Sequence, residues 1–244
     1  MSDWTERRVL VVGLGGLACP ALWALAEAGV RRWVLMDDDV VDETNLHRQV
    51  IYEPQDVGRP KLEAMAHRLV ERGVDAREIE LVPSRLLPDN ARSHVSSVDL
   101  VLEGADNYAT KFLAADACFL ERKPIVHGAA VGWQATAWAV APRGRPCYRC
   151  LFEDVPEGPP RDCNSVGVMG PVVGFAGALM ADLALDILKP TAGPRYGTLI
   201  AFDGLRDRLR QVSVPARPAC PLCSERPRFF DIEEARYCGQ TCAA

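Results

Sequence analysis

RVLVVGLGGLACPALWALAEAGVRRWVLMDDD, residues 8–39, is the stretch that decides the fold. It opens with the β-branched run Arg8–Val12, which predicts a short, buried parallel strand. A helix is predicted from about Leu17 to a C-cap at Gly29, and Trp33–Met36 predicts a second buried strand. Strand, helix and strand in this order predict a parallel sheet with a right-handed crossover.

The alternation of strands and helices continues along the first half of the chain and then changes. Ala135–Val140 has the composition of a strand without a following helix, and Pro142–Asp162 reads as a loop rich in Pro, Gly and charge. The predicted fold is α/β, a Rossmann-like, mostly parallel sheet extended by antiparallel C-terminal strands. The other predicted helices are Lys61–Arg72, Thr110–Arg122 and Pro171–Leu188, and the other strands are Ile79–Val82, Asp99–Leu102, Pro124–Val126, Leu199–Phe202 and Leu209–Val214.

Composition and charge exclude several classes of protein. The chain has 244 residues, of which 48% are hydrophobic and 25% charged, as in an ordinary globular protein. A formal net charge of -5 gives no general electrostatic reason to bind nucleic acid or an anionic membrane. The most apolar later stretch, Val166–Ala181, is glycine-rich and contains Pro171, so it predicts a buried helix. We therefore expect a soluble cytoplasmic protein that binds neither nucleic acid nor membrane.

A glycine turn joins the first predicted strand to the first helix. Gly13, Gly15 and Gly16 let backbone N–H groups approach phosphate oxygens at the N-terminus of the helix. Asp37 ends the next strand, where a carboxylate can accept hydrogen bonds from ribose hydroxyls. The turn predicts a nucleotide site without distinguishing ATP from NAD, although its adjacent glycines depart from the usual dinucleotide spacing. A purely structural turn is the alternative.

Several short motifs follow one another along the chain. They are GLGGL, DDDVVDETNLHRQ at 37–49, VGRPK at 57–61, ADN at 105–107, PCYRC at 146–150, GVMGPVVG at 167–174 and CPLC at 220–223. In this order, from Leu10 to Cys223, the chain resembles the ThiF/MoeB/HesA family, bacterial relatives of the adenylation domains of ubiquitin-activating enzymes. The resemblance implies a single adenylation domain over 1–244, with a nucleotide-binding half at about 8–130, a carrier-binding and zinc half at about 131–223 and a short cysteine-containing tail at 224–244.

The resemblance also implies a reaction, in which a protein carboxylate attacks the α-phosphate of MgATP to give an acyl-adenylate and pyrophosphate. Such chemistry depends on alignment and on neutralising charge. Arg48 would grip phosphate oxygens, Lys61 would place a charge near the attacked phosphate, and Asp106 would ligate Mg²⁺. Asn45 and Gln49 would orient phosphate or the incoming tail. The implied nucleotide-binding residues are Gly13, Gly15, Gly16, Asp37, Asp39, Asn45, Arg48, Gln49, Lys61, Asp106 and Asn107.

Some of these charges have a second interpretation. Taken alone, the two proposed phosphate-binding cations equally fit solvated surface charges. Asp39, Asp42 and Lys111 are either site residues or charges at helix starts and on the surface. His127 is predicted to end the fifth strand, near the nucleotide edge of the sheet.

Nine cysteines are many for a cytoplasmic chain, where paired cysteines are more often metal ligands or reactive thiols than disulfides. Cys147 and Cys150 form one C-x-x-C pair, and Cys220 and Cys223 form another about seventy residues later. Two such pairs predict a tetrahedral Zn²⁺ site, which is structural because four thiolates leave no open position for water. The bound zinc would link the C-terminal strands to the rest of the domain. A redox C-x-x-C pair is the alternative.

Five cysteines have no place in this zinc site. Cys19 and Cys118 fall within predicted helices, where we expect small core residues. A cysteine at the position of Cys163 lies on a crossover loop in resembling proteins, and in some of them it forms a covalent link to the carrier or takes part in sulfur transfer. Arg161 favours a Cys163 thiolate and Asp162 opposes it, so an unreactive loop thiol stays open as well. Cys238 and Cys242, in the tail, fit a redox pair, an extra metal site or a neutral appendage.

The partners follow from the resemblance alone. It implies a small ubiquitin-fold sulfur-carrier protein that ends in Gly-Gly, a homodimer, and, since the chain has no rhodanese-like extension, a separate sulfur-donor protein. Family members usually carry an N-terminal arm with an R-Y-x-R-Q-like motif whose arginine reaches the partner subunit's ATP, whereas seven residues precede the first predicted strand here. The alternative functions are an ATP-binding scaffold with impaired catalysis and, less favoured, an NAD-dependent oxidoreductase.

Overall fold

The computed structural model describes residues 4–156, 167–189 and 193–237. One eight-stranded sheet with the strand order β3-β2-β1-β4-β5-β6-β7-β8 forms its centre. The strands are β1 (Arg8–Val12), β2 (Arg32–Met36), β3 (Ile79–Val82), β4 (Leu100–Glu103), β5 (Ile125–Val131), β6 (Gln134–Val140), β7 (Thr198–Asp203) and β8 (Arg208–Ser213). The α-helices are α1 (Ala18–Ala28), α2 (Lys61–Glu71), α3 (Ala91–Ser96), α4 (Tyr108–Leu120), α5 (Tyr148–Phe152) and α6 (Gly170–Leu188).

The first five strands run parallel and the last three are added in alternating directions, which confirms the predicted fold class. β1 pairs with both β2 and β4, so the order of the strands reverses beside β1. From β5 to β8 each strand pairs antiparallel with the next. Parallel neighbours need long crossovers, and antiparallel neighbours can be joined by short turns. This difference explains why the regular strand and helix alternation of the sequence stops at β5.

Helices cover both faces of the sheet, because the central strands are apolar on both sides. α1, α2 and α6 cover the face to which Val9 and Val11 of β1 contribute. α3, α4 and α5 cover the face to which Leu10 and Val12 contribute. With both faces covered, the carboxyl ends of the parallel strands remain as the accessible edge at which loops can build a site.

The structure differs from the predicted elements at three places. α5 lies inside the predicted loop Pro142–Asp162, and α3 has no counterpart among the predicted helices. Both are too short to show a helical period in the sequence. β5 continues past His127 to Val131, because it pairs with β6 along its whole length.

α6 is the one helix in the described part of the chain that is long and apolar enough, by length and composition, to cross a membrane. It packs against α1 and against strands β4, β5 and β6. Its buried residues belong to the cluster that fills one side of the sheet. The helix is therefore a core element here, as the sequence predicted for this stretch.

Candidate functional site

A pocket opens at the carboxyl ends of the parallel strands, where the strand order reverses between β1 and β4. Loops from neighbouring strands diverge at such a point and leave a crevice. Nine of the predicted nucleotide-binding residues line it: Gly13, Gly15, Gly16, Asp37, Asp39, Arg48, Gln49, Lys61 and Asp106. The other two, Asn45 and Asn107, are not among its lining residues. The sequence did not predict Leu17, Gly104, Ala105, Tyr108, Ala129, Ala130, Val131, Val168 and Val173, which also line the pocket.

The glycine turn is held in place through Leu14. Gly13 has a positive φ of 84°, which favours glycine, and its N–H donates to the Met36 carbonyl at 3.0 Å. The Leu14 N–H donates to Asp37 Oδ2 at 2.6 Å, and the Leu14 carbonyl accepts from the Tyr52 hydroxyl at 2.8 Å. Both polar groups of Leu14 are bonded to side chains, and these bonds hold the turn in place.

Gly16 lets two other segments approach the turn. A Cβ at this position would lie 2.7 Å from Val173 Cγ1 and 2.9 Å from the Arg48 carbonyl oxygen. Only glycine therefore fits between α6 and the segment that carries Arg48.

Asp37 supports the turn in a way that the sequence did not indicate. Besides the Leu14 N–H, it accepts from the Asp39 N–H through Oδ1 at 2.8 Å. Each carboxylate oxygen keeps a further lone pair, so the predicted bonds to ribose hydroxyls are compatible with these contacts. The Asp37 carboxylate can thus hold the glycine turn and accept hydrogen bonds from a ribose at the same time.

Three charged side chains at the pocket, Asp39, Arg48 and Lys61, form what we call the rim. Lys61 Nζ lies 2.8 Å from Asp39 Oδ2, and the Lys61 side chain is 6% exposed whereas that of Asp39 is 54% exposed. Within the described residues, the only hydrogen-bond contact of the Arg48 guanidinium is His47 Nε2, at 3.4 Å. A pair with a solvated carboxylate contributes little stability, so a phosphate can replace Asp39 beside Lys61.

The segment before Lys61 is folded by its own backbone. Asp42 accepts from the Thr44 N–H at 2.7 Å and so caps a short 3-10 turn. Of its two predicted roles, Asp42 therefore has that of a charge at a helix start. The Asn45 carbonyl accepts from the N–H groups of Arg48 and Gln49, both at 3.0 Å. The Gln49 side chain is buried, and its Oε1 has no hydrogen-bond partner among the described residues. A buried acceptor is costly while it lacks a donor, which a ligand or water can supply.

Asp106 and Asn107 follow β4 and differ in function. Asp106 is exposed at the pocket, and its carboxylate forms no hydrogen bond or ion pair within the described ranges. Asn107 Oδ1 accepts from the Thr110 N–H at 2.8 Å and caps α4. The ADN motif therefore joins a free carboxylate to a helix cap.

A buried network of Glu103, Lys111 and His127, which we call the floor, lies beneath the pocket. Lys111 Nζ lies 3.2 and 3.0 Å from the two carboxylate oxygens of Glu103, and His127 Nδ1 lies 3.0 Å from Glu103 Oε2. Burial acts to raise the pKa of Glu103, but Lys111 and His127 outweigh it and hold this pKa below its ordinary value. Lys111 is thus a buried wall residue rather than a surface charge. The sequence did not single out Glu103. The feature that could have indicated it is a charged residue at the last position of a buried strand.

The four predicted zinc ligands come together in one cluster. Their Sγ atoms all lie within 4.8 Å of one another, and the pairs Cys147–Cys220 and Cys150–Cys223 are 3.5 and 3.3 Å apart. Sulfurs about 2.3 Å from a tetrahedral Zn²⁺ are separated by about 3.8 Å, so the cluster can hold zinc with small adjustments. The hydrogen bond between Cys147 and Cys223 lowers the pKa of Cys223 and raises that of Cys147, so the two sulfurs share a proton that a bound metal would displace.

A buried ion pair connects this cluster to α4. Arg149, which lies between the cysteines of the first pair, is fully buried and donates to the Asp116 carboxylate at 2.8 to 3.0 Å. The Tyr237 hydroxyl donates to the same carboxylate at 2.8 Å. These contacts fix α5 and the end of the described chain against α4. Nothing in the spacing of the sequence indicates them, because the partners are far apart along the chain.

The remaining cysteines fall into two groups. Cys19 and Cys118 are buried, as predicted for small core residues. Burial raises the pKa of Cys19 to about 12 and that of Cys118 well above its ordinary value, so both thiols are unreactive. Cys163, Cys238 and Cys242 lie outside the described residues, and their roles stay predictions.

Fold and pocket together define a nucleotide-binding α/β domain that carries a four-cysteine cluster. The model of the ThiF family matches residues 1–222. The chain therefore belongs to the ThiF family, as its motifs predicted.

Similar proteins carry names that describe adenylation. The chain is 37% identical over 238 residues to the sulfur carrier protein adenylyltransferase of Thermus thermophilus, covering 95% of this chain and 88% of that protein. It is 36% identical over 219 residues to the sulfur carrier protein ThiS adenylyltransferase of Escherichia coli, covering 89% and 86%. It is 39% identical over 236 residues to the adenylyltransferase and sulfurtransferase MOCS3 of Anopheles gambiae, covering 95% and 53%. The chain thus spans about half the length of the MOCS3 relatives that it matches.

A solved structure shows the same fold. Escherichia coli MccB, crystallised with MccA-N7isoASN, aligns with a TM-score of 0.77 at 20% identity, covering 91% of this chain and 68% of that chain. At this level of identity the likeness concerns the fold alone.

Proposed function

We propose that the protein uses ATP to adenylate the C-terminal glycine carboxylate of a small ubiquitin-like sulfur-carrier protein and releases pyrophosphate. The observation that carries this proposal is the pocket, in which an ordered glycine turn faces Arg48, Lys61 and the unpartnered Asp106. Two cations and a free carboxylate suit a triphosphate with its metal, whereas hydride transfer to NAD needs none of them. The names of relatives in the same family support the same reaction.

The residues act on ATP by position and charge. The glycine turn and the start of α1 receive phosphate oxygens, and Asp37 accepts from the ribose. Arg48 and Lys61 neutralise the charge that develops as the carrier's carboxylate oxygen bonds to the α-phosphorus and the bond to pyrophosphate breaks. Lys61 exchanges its contact with Asp39 for one with phosphate.

Mg²⁺ fits the donor set at the end of β4. Asp106 offers a hard carboxylate without a protein partner in the described chain, and it would hold the ion. When bound, Mg²⁺ neutralises phosphate charge and favours departure of pyrophosphate. Zn²⁺ belongs to the four-cysteine cluster in this proposal and has a structural role.

The carrier's tail is proposed to enter beside Val131, which lines the pocket at the end of β5. Gly132, between β5 and β6, pairs with Val168, just before α6. This juxtaposition presents Val131, Trp133 and Met169, which are 37 to 41% exposed. Apolar side chains of this kind are what a protein substrate can cover. A homodimer, a separate sulfur donor, and Cys163 as a covalent or sulfur-transfer residue after adenylation are further parts of the proposal.

ATP–pyrophosphate exchange with a candidate carrier tests the function. We expect exchange that requires both Mg²⁺ and a carrier ending in Gly-Gly, and a fall of about 100-fold or more in Asp106→Ala. Asp75→Ala is the matched control, because Asp75 is an exposed carboxylate at the opposite end of the sheet, before β3. Absence of exchange with every cognate carrier contradicts the proposal, and tight ATP binding without exchange then identifies a scaffold.

A further inference from the structure

Lys111 differs from a substrate-binding lysine in that all three of its protons have acceptors. Its Nζ lies 3.2 and 3.0 Å from the Glu103 carboxylate oxygens and 2.6 Å from the Gly128 carbonyl oxygen. Its side chain is 9% exposed. An ammonium group has three donors and no acceptor, so a phosphate can gain Lys111 only by breaking one of these bonds.

The two acceptor residues lie on neighbouring strands of the sheet, β4 and β5. Glu103 ends β4, and its Oε1 also accepts from the Ala105 N–H at 2.7 Å, one residue before Asp106. Gly128 lies in β5, and the residues that follow it, Ala129 and Ala130, line the pocket. One ammonium group therefore joins the backbone that carries Asp106 to the neighbouring strand.

The same network continues toward the cysteine cluster. His127 shares Glu103 with Lys111, and its ring centroid lies 4.3 Å from that of Tyr148. Tyr148 is adjacent to the zinc ligand Cys147 and is buried. The carboxylate is thus held from two sides, and the loss of Lys111 leaves a charged group without its strongest partner in a site that water does not reach.

We propose that Lys111 is a positioning residue. It holds the Glu103 carboxylate and the Gly128 carbonyl, and thereby fixes the Ala105–Asp106 backbone in the position at which Asp106 can ligate the metal on the phosphate. The inference rests on the proposed function, because Asp106 is there the ligand of Mg²⁺. The two lysines of the pocket then have different roles, since Lys61 contacts substrate and Lys111 acts through Glu103.

The test compares Lys111→Met with Lys111→Arg, using Lys123→Met, three residues beyond the C-terminal end of α4, as the matched control. Lys111→Met keeps the length of the side chain and removes its charge. We expect its exchange kcat to fall about 10- to 100-fold, with the KM for ATP changed less than about threefold, because a residue that acts by positioning others affects the transition state. The Mg²⁺ concentration for half-maximal exchange rises about fivefold or more, and Lys111→Arg recovers most of the loss, since a guanidinium can also bridge two acceptors.

Calorimetric binding of a non-hydrolysable ATP analogue, with and without Mg²⁺, gives a readout that does not depend on turnover. We expect Lys111→Met to keep the Mg²⁺-free affinity and to lose most of the gain that Mg²⁺ brings. If wild-type protein shows no exchange but this loss is seen, the proposed function fails and the positioning role of Lys111 survives. If Lys111→Met does not fold, the Glu103→Gln/Lys111→Met pair, which leaves no unpaired charge, is measured in the same way.

Three results overturn the inference. The first is a large rise in the KM for ATP with kcat unchanged, which makes Lys111 a direct substrate contact. The second is wild-type Mg²⁺ dependence in the folded single or double variant. The third is failure of Lys111→Arg to recover more activity than Lys111→Met.

Discussion

Two lysine–carboxylate pairs lie at one pocket, each with a buried lysine, and they differ in the exposure of the carboxylate. In the rim, Lys61 pairs with Asp39, whose side chain is 54% exposed. In the floor, Lys111 pairs with Glu103, which is fully buried and also contacts His127 and the Ala105 backbone. The two lysines are about equally buried, but the rim carboxylate is exposed to water, whereas the floor carboxylate is desolvated and shared by Lys111, His127 and the Ala105 N–H.

The difference indicates which of the two lysines can exchange its carboxylate for another partner. A carboxylate in contact with water leaves its lysine at little cost, so the rim can accept phosphate and release it again. A buried charge that loses its partner is strongly destabilising, so the floor must persist through the reaction. We infer that substrate binding rearranges the rim and leaves the floor intact.

The largest effect is expected when the cysteine cluster beside the floor is emptied of metal. Structural Zn²⁺ binding in small peptides amounts to about 10–16 kcal/mol, so even a fraction of it shifts the Tm of a domain of this size by about 10 °C or more. Removal of Zn²⁺ by a chelator, or Cys220→Ser, should therefore lower the Tm measured by calorimetry. The zinc content should fall at the same time from about one ion per chain to none. Cys19→Ser, a buried cysteine outside the cluster, should leave the zinc content unchanged. Full zinc content in Cys220→Ser contradicts the assignment.

The next effect separates rim from floor directly. Glu103→Gln leaves the Lys111 ammonium buried without a charged partner and should lower the free energy of unfolding by about 3–5 kcal/mol. Asp39→Asn removes the corresponding carboxylate from the rim and should lower the free energy of unfolding by less than about half as much, because water reaches the Asp39 side of the pair although Lys61 is buried. Urea unfolding of the two variants, followed by tryptophan fluorescence, measures both. If the two variants lose the same free energy of unfolding, the proposed difference between the rim and floor pairs is wrong.

The residues of the rim, together with Lys111 and His127, could be singled out from the sequence, but the network that joins the floor through Glu103 could not, for a physical reason. Asp39, Arg48 and Lys61 lie in the short motifs that carry the family resemblance, and this resemblance, rather than their residue types alone, implies phosphate chemistry. Glu103 and His127 are 24 residues apart and meet only because β4 and β5 are neighbours in the sheet. A local pattern carries the first kind of information and not the second.

The same division applies to the fold. β1, α1 and β2 follow from hydrophobic periodicity and from Gly29, which caps α1 in the left-handed conformation as predicted. α5 does not, because its five residues are held by tertiary contacts, the cysteine cluster and the Arg149–Asp116 pair. Asn107 shows a mixed case: its motif suggests a nucleotide contact, while its spacing from Thr110 is that of a helix cap.

The smallest effect expected is the pH dependence of the floor, and it sharpens the comparison with the rim. Burial acts to raise the pKa of Glu103, but Lys111 and His127 hold it below the ordinary value of 4.5. A carboxyl group whose pKa is lower in the folded state contributes stability that is complete above its unfolded pKa and is lost as the pH falls through the folded pKa. The stability gap between wild-type protein and Glu103→Gln should therefore narrow as the pH falls below about 4.5. Urea unfolding at a series of pH values measures the gap, with exposed Asp89→Asn as the control; a gap that widens below pH 4.5 contradicts a charged Glu103 in the floor.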